Sequence, residues 1–130
     1  MFEEFNKELQ EDTKIDQINL LDKQMMLPAI RHKWVARLIE YKRKLNSLNR
    51  KKKTLKDSVL DSLREKGIPT GIPKASLDSK INSSDVVLKI QEDIEDVEII
   101  IEYLEKVELI FRSMTYDYSN IVKLISLETT

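Results

Sequence analysis

The chain has 130 residues, 35% of them charged and 41% hydrophobic, with two Gly, three Pro, no Cys and a net charge of −1. That length fits one domain and that composition fits long helices, while the missing Cys excludes disulfides and thiolate metal sites. No apolar run approaches the roughly 18 residues of a membrane span, and the start "MFEEFNKELQEDTK" lacks the regions of a signal peptide, so the expectation is a soluble, intracellular, all-α protein with no membrane association.

The first predicted element, "FEEFNKELQEDT", places Phe2, Phe5 and Leu9 at helical spacing, with early Glu residues suited to the positive end of a helix dipole. Asp16 is the expected cap of a second helix through "QINLLDKQMML". Pro28 disfavours helical geometry at Leu27, which predicts a kink or break there. From Ala29 the pattern becomes long and regular. Leu38, Tyr41, Leu45, Leu48, Lys52, Leu55 and Val59 form a heptad seam with Lys52 at a core position, along a rod of about 57 Å at about 1.5 Å per residue.

"GIPTGIP", residues 67–73, ends this helix, and "KASLDSKINSSD" reads as a polar linker with Ser83, Ser84 or Asp85 capping the next helix. In the last helix a second seam contains Val87, Ile90, Ile94, Val97, Ile101, Leu104, Phe111, Tyr118, Val122 and Ile125. Added apolar residues such as Val86, Ile99 and Ile110 widen it beyond a two-stranded stripe, which predicts contact on two sides. We therefore expect Val87, Ile90, Ile94, Val97, Ile101, Leu104, Phe111 and Tyr118 to form an oligomer interface.

The near-neutral total hides a segregation of charge. Residues 29–66 carry 13 basic and 4 acidic side chains, and residues 85–130 carry 4 basic and 11 acidic. Such asymmetry means either neutralisation between segments or a basic surface for a polyanion. Catalysis has little support: His32 has no partner at a diagnostic spacing, no Gly-rich phosphate loop precedes a helix, and the acidic run 92–98 circles its helix without a calcium loop. No cofactor or metal is expected.

The basic helix carries the sharper signal. Trp34 and Tyr41 are interleaved with Arg31, Lys33, Arg37, Lys42, Arg43 and Lys44, and Arg50, Lys51, Lys52 and Lys53 follow side by side, with Lys56 beyond. Cations release counterions from phosphates, and an exposed aromatic stacks on an unpaired base. The alternative puts both aromatics in the core and leaves the cations as the coat of a coiled coil. A charge at a core position is costly unless it reaches solvent, so Lys52 predicts an open seam at its level.

The opening "FEEFNKELQEDTKID", the "KW" at Lys33 and Trp34, the ungapped spacing to Lys52 and Lys53, and the "REKG" helix end together resemble the UvsY-type recombination mediators of T-even-like phages. The resemblance implies a non-enzymatic protein that binds single-stranded DNA. It also implies a ring-like homo-oligomer, a hexamer or heptamer, built through C-terminal helices. The implied partners are a RecA-like recombinase and the single-strand-binding protein, in the cytoplasm of the infected host cell. Lys52 and Lys53 fall on a basic pair of that family and Trp34 on its aromatic. A Lys-x-Arg-Leu motif of the family falls near "KDSVL", where Asp57 and Val59 replace its cations, so the contact shifts towards Arg50, Lys51 and Lys56. The expected organisation is a helical DNA-binding region at 1–66, a linker at 67–84 and an oligomerisation region at 85–130. The rival reading is a structural coiled-coil adaptor whose basic helix neutralises its acidic one.

Overall fold

In the computed structural model the described residues are 1–14, 20–67 and 71–129, without the side chains of Leu20, Tyr118, Val122, Glu128 and Thr129. They form four helices, α1 (Phe2–Asp12), α2 (Leu20–Glu65), α3 (Lys74–Asn82) and α4 (Asp85–Thr129), and include no strand. The expected cap at Asp16 lies outside the described residues. None of the helices is long and apolar enough to cross a membrane.

No break occurs at Pro28, and the linker expected at residues 74–82 is corrected. Pro28 lies inside α2, which runs continuously for 46 residues. An internal proline removes one backbone hydrogen bond at a cost of about 3 kcal/mol. Buried Leu27 and Trp34 on either side of it hold the helix to the core and offset that loss. Residues 74–82 form α3 rather than a polar linker. Pro73 precedes the helix with φ −57° and ψ 142°, and its carbonyl accepts from the Ser76 and Leu77 amides at 3.0 and 3.1 Å. Ile81 then anchors α3 by burying its side chain.

Helix ends follow their local chemistry. Gly67, at φ +79°, terminates α2 in the left-handed conformation that glycine adopts without steric cost. Ser84 caps α4, its Oγ accepting from the Val87 amide at 3.4 Å, as the sequence led one to expect.

The chain divides into two compact units, each drawing on both long helices. One comprises Met1–Glu40 and Ile100–Thr130, the other Tyr41–Ile99. The core of the first is aromatic: Trp34 packs on Phe111 at 6.3 Å and edge-on to Phe5 at 5.8 Å, and Tyr103 meets Phe2 and Phe5. Leu27, Ile100, Ile101, Leu104, Val107 and Met114 complete it. In the second unit the core is aliphatic, with Val87, Ile90, Ile94 and Val97 of α4 and Ile81 of α3 buried. Leu45, Leu48, Leu55 and Val59 of α2 are half-buried there.

Candidate nucleic-acid interface

Helix α1 decides the fate of the first basic cluster. Glu8 and Asp12 are four residues apart, as are Lys33 and Arg37, so each pair lies on one face of its helix. The Arg37 guanidinium forks onto Glu8, with NH1 donating to Oε2 at 2.6 Å and NH2 to Oε1 at 3.0 Å. The Lys33 ammonium bridges Glu8 Oε1 at 2.9 Å and Asp12 Oδ2 at 2.6 Å. Trp34 Nε1 donates to the same Asp12 oxygen at 2.8 Å. Arg37 also lies over the rings of Trp34 and Phe5, at 4.8 and 5.3 Å.

These bonds perturb protonation. The hydrogen bonds from Arg37, reinforced by Lys33, hold the Glu8 carboxyl at about 2, well below its ordinary value. Burial opposes the charged form of Lys33, but its bonds to Asp12 and Glu8 outweigh that and raise it. Arg31 is engaged on the other side, its NH2 and Nε donating to Glu108 Oε1 of α4 at 2.6 and 3.1 Å. Glu108 Oε2 is buried without a hydrogen-bond partner, beside a cavity that His32, Leu27 and Ser119 also line. Arg31, Lys33 and Arg37, all expected at a DNA surface, are thus bound to carboxylates of the chain itself.

The second basic cluster is differently placed. Residues 41–56 contain no Asp or Glu, and Lys42, Arg43, Lys44, Arg50, Lys51 and Lys53 are exposed. Seven residues make two turns, so Arg43 and Arg50 share a face, as do Lys44 and Lys51, each pair about 10.5 Å apart along the axis. Among the described residues Arg43, Lys44, Arg50, Lys51, Lys53 and Lys56 form no ion pair. Lys44 stands over the half-buried Tyr41 ring at 5.7 Å, and Lys56 lines a groove with Asp57 and Asp78. Glu92, Glu95, Asp96 and Glu98 on α4 in the same unit are exposed. The ion pair in their neighbourhood is Lys89 to Asp93, within α4.

Lys52 corrects the expectation of an open seam. It is half-buried, and its Nζ donates to Gln91 Oε1, while Gln91 Nε2 donates to Glu95 Oε1 at 3.2 Å. A polar layer therefore interrupts the apolar seam, and the half-buried ammonium is hydrogen-bonded across it. Sequence reasoning missed Glu8, Asp12 and Gln91. The matched four-residue spacing of the Glu8/Asp12 and Lys33/Arg37 pairs was the available signal for the first two.

The expected interface residues are also relocated. Val87, Ile90, Ile94, Val97, Ile101, Leu104 and Phe111 are buried within the chain's own core, so their apolarity requires no second subunit. The Tyr118 side chain lies outside the described residues. Exposed instead on the later part of α4 are Leu109, Ile110, Tyr116 and Leu124. Among the described residues no group of His, Asp and Glu is arranged to hold a metal ion.

No protein-family model and no curated protein matches the sequence. Crystal structures of the bacteriophage T4 recombination mediator protein UvsY do match the structure. In one lattice the TM-score is 0.84 at 17% identity, covering 98% of each chain. In a second it is 0.83 at 18% identity, covering 100% of this chain and 98% of that one. The chain has the fold of UvsY over essentially its whole length.

Proposed function

We propose that this chain is a non-enzymatic recombination mediator that binds single-stranded DNA through the second half of α2. The observation that carries the reading is the acid-free stretch of residues 41–56, in which the exposed Arg43, Lys44, Arg50, Lys51 and Lys53 form no ion pair among the described residues, on the fold of a phage mediator. Arg43, Lys44, Arg50, Lys51 and Lys53 meet phosphates, with Lys42 and Lys56 at the margins of the track. Repeating that track in a ring-like homo-oligomer, a hexamer or heptamer, makes weak contacts effective through proximity. The partners in this reading are a RecA-like recombinase and the single-strand-binding protein it must replace, in the cytoplasm of an infected cell.

The subunit contact in this reading is the exposed face of α4 at Leu109, Ile110, Tyr116 and Leu124, since large apolar side chains left in water favour a partner surface. Leu109→Glu with Ile110→Glu leaves the buried face of α4 intact and is expected to lower the mass measured by light scattering. An unchanged mass would move the interface elsewhere.

A salt titration with oligo-dT tests the DNA reading. Replacing Arg50, Lys51 and Lys53 by Gln keeps helix propensity and is expected to shrink the log-log salt slope by roughly 2, at about 0.7 per phosphate contact. A variant with parental affinity and slope would shift support to the adaptor reading. That reading draws on the first unit, where basic α2 is neutralised by the chain's own carboxylates.

A further inference from the structure

Helix α1 carries more acceptors than packing requires. None of its side chains is fully buried, yet Glu8 and Asp12 take the Lys33 ammonium, both Arg37 amino groups and the Trp34 indole N–H. Two cations one turn apart, flanking an aromatic ring, are the constellation that grips a single strand through phosphates and a stacked base. Here the two carboxylates stand one turn apart in the place of successive phosphates. Phe5 covers Trp34 edge-on, in the place of a base.

We propose that α1 is an internal stand-in for the strand, covering a second single-stranded DNA site formed by Lys33, Trp34 and Arg37, which opens when DNA displaces the helix. This rests on the DNA-binding reading above and adds to it a site that the chain itself occupies in the absence of DNA. Several features make the exchange physically reasonable. The ionic contacts are part-exposed, the four side chains retaining 15% to 36% of their accessible surface, so water and a competing polyanion reach them. Neither cation forms an ion pair with any other described element. Trp34 stays seated on Phe111 from α4 when α1 leaves, so the ring that would meet a base remains oriented. Arg31 stays outside this site, because its partner Glu108 belongs to α4.

The test uses the full chain and oligo-dT. Glu8→Gln with Asp12→Asn removes the stand-in charges and is expected to steepen the log-log salt slope by about 1.4, for two added phosphate contacts at about 0.7 each. It is also expected to let DNA quench the fluorescence of Trp34, the chain's one Trp, at a lower oligo-dT concentration than the parent requires. Glu3→Gln with Glu4→Gln changes the net charge equally on the same helix, at residues that hold no cation. It is expected to leave the slope unchanged; an equal steepening in this control would overturn the proposal by showing a general charge effect. If the Glu8/Asp12 variant fails to fold, hydrogen exchange on the unmodified chain decides. Saturating oligo-dT is expected to accelerate exchange of the α1 amides, and unchanged or stronger protection overturns displacement. A parent that binds oligo-dT, with a Glu8/Asp12 variant of identical slope and unquenched Trp34, sinks the second site alone. If neither protein binds oligo-dT, the DNA-binding reading falls with it.

Discussion

The two halves of α2 carry similar charge and have opposite surroundings. Before Glu40 the cations Arg31, Lys33 and Arg37 face carboxylates supplied by α1 and α4, and Trp34 is only 1% exposed. From Tyr41 onward no acidic residue interrupts the helix until Asp57. Among the described residues the exposed carboxylates of α4 in that unit form no ion pair with Arg43, Lys44, Arg50, Lys51 or Lys53 of α2. A run of Lys and Arg therefore has no fixed role of its own. The first half shows the neutralisation expected of an adaptor, and the second retains the field expected of a polyanion surface. What separates them is whether another element delivers a carboxylate within hydrogen-bond reach.

The largest effect expected of any single substitution in this comparison is Trp34→Ala. It empties the ring packed between Phe5 and Phe111 and leaves Asp12 without the indole donor, for a loss of about 3 to 5 kcal/mol in urea denaturation. Tyr41→Ala, at a half-buried position, should cost clearly less. Equal losses would erase the distinction between an aromatic core in one unit and a peripheral aromatic in the other.

Arg37→Gln follows in size. It breaks the fork onto Glu8 and the stacking on Trp34 and Phe5, but the contacts are part-exposed, so about 1 kcal/mol is expected. Arg50→Gln, with no partner to lose, should fall within about 0.5 kcal/mol of the parent. A chemical denaturation curve for each variant sharpens the comparison. If Arg50→Gln proved the more destabilising of the two, the second cluster would be structural after all.

The smallest effect is a pH dependence confined to the first unit. The folded pKa of Glu8, about 2, lies below its ordinary value of 4.5, so its contribution is fully present above pH 4.5 and is lost as pH falls towards 2. The groups that face Glu8 are Lys33 and Arg37 of α2, with Asp12 the neighbouring carboxyl on α1. Melting temperatures measured between pH 6 and pH 2 should fall less for Glu8→Gln than for the parent. Parallel curves would mean that Glu8 gains nothing from its cations when the chain folds.

Much of the fold was legible because helices are local objects. The three-and-four spacing of Leu38, Tyr41, Leu45, Leu48, Leu55 and Val59 identified the inward face of α2, and the same periodicity identified the buried residues of α4 from Val87 to Phe111. Gly67 and Ser84 marked helix ends because caps depend on a few neighbouring atoms. The chain stays helical through Pro28 and over residues 74–82, against the break and the linker expected there, for the complementary reason. A local penalty at Pro28, or a polar composition at 74–82, yields to burial of Leu27, Trp34 and Ile81 contributed by distant parts of the chain.

The sequence by itself determined helix class, heptad register and the charge contrast between segments, all of which depend on residues within a few positions of one another. Only the tertiary structure decided which cations are engaged, because Glu8 and Asp12 lie more than twenty residues from Lys33 and Trp34, and Gln91 lies 39 from Lys52. It also decided that the seam of α4 from Val87 to Phe111 is filled by its own chain while Val86, Ile99 and Ile110 beside it stay exposed, since periodicity reveals that a face is apolar and carries no information about what covers it.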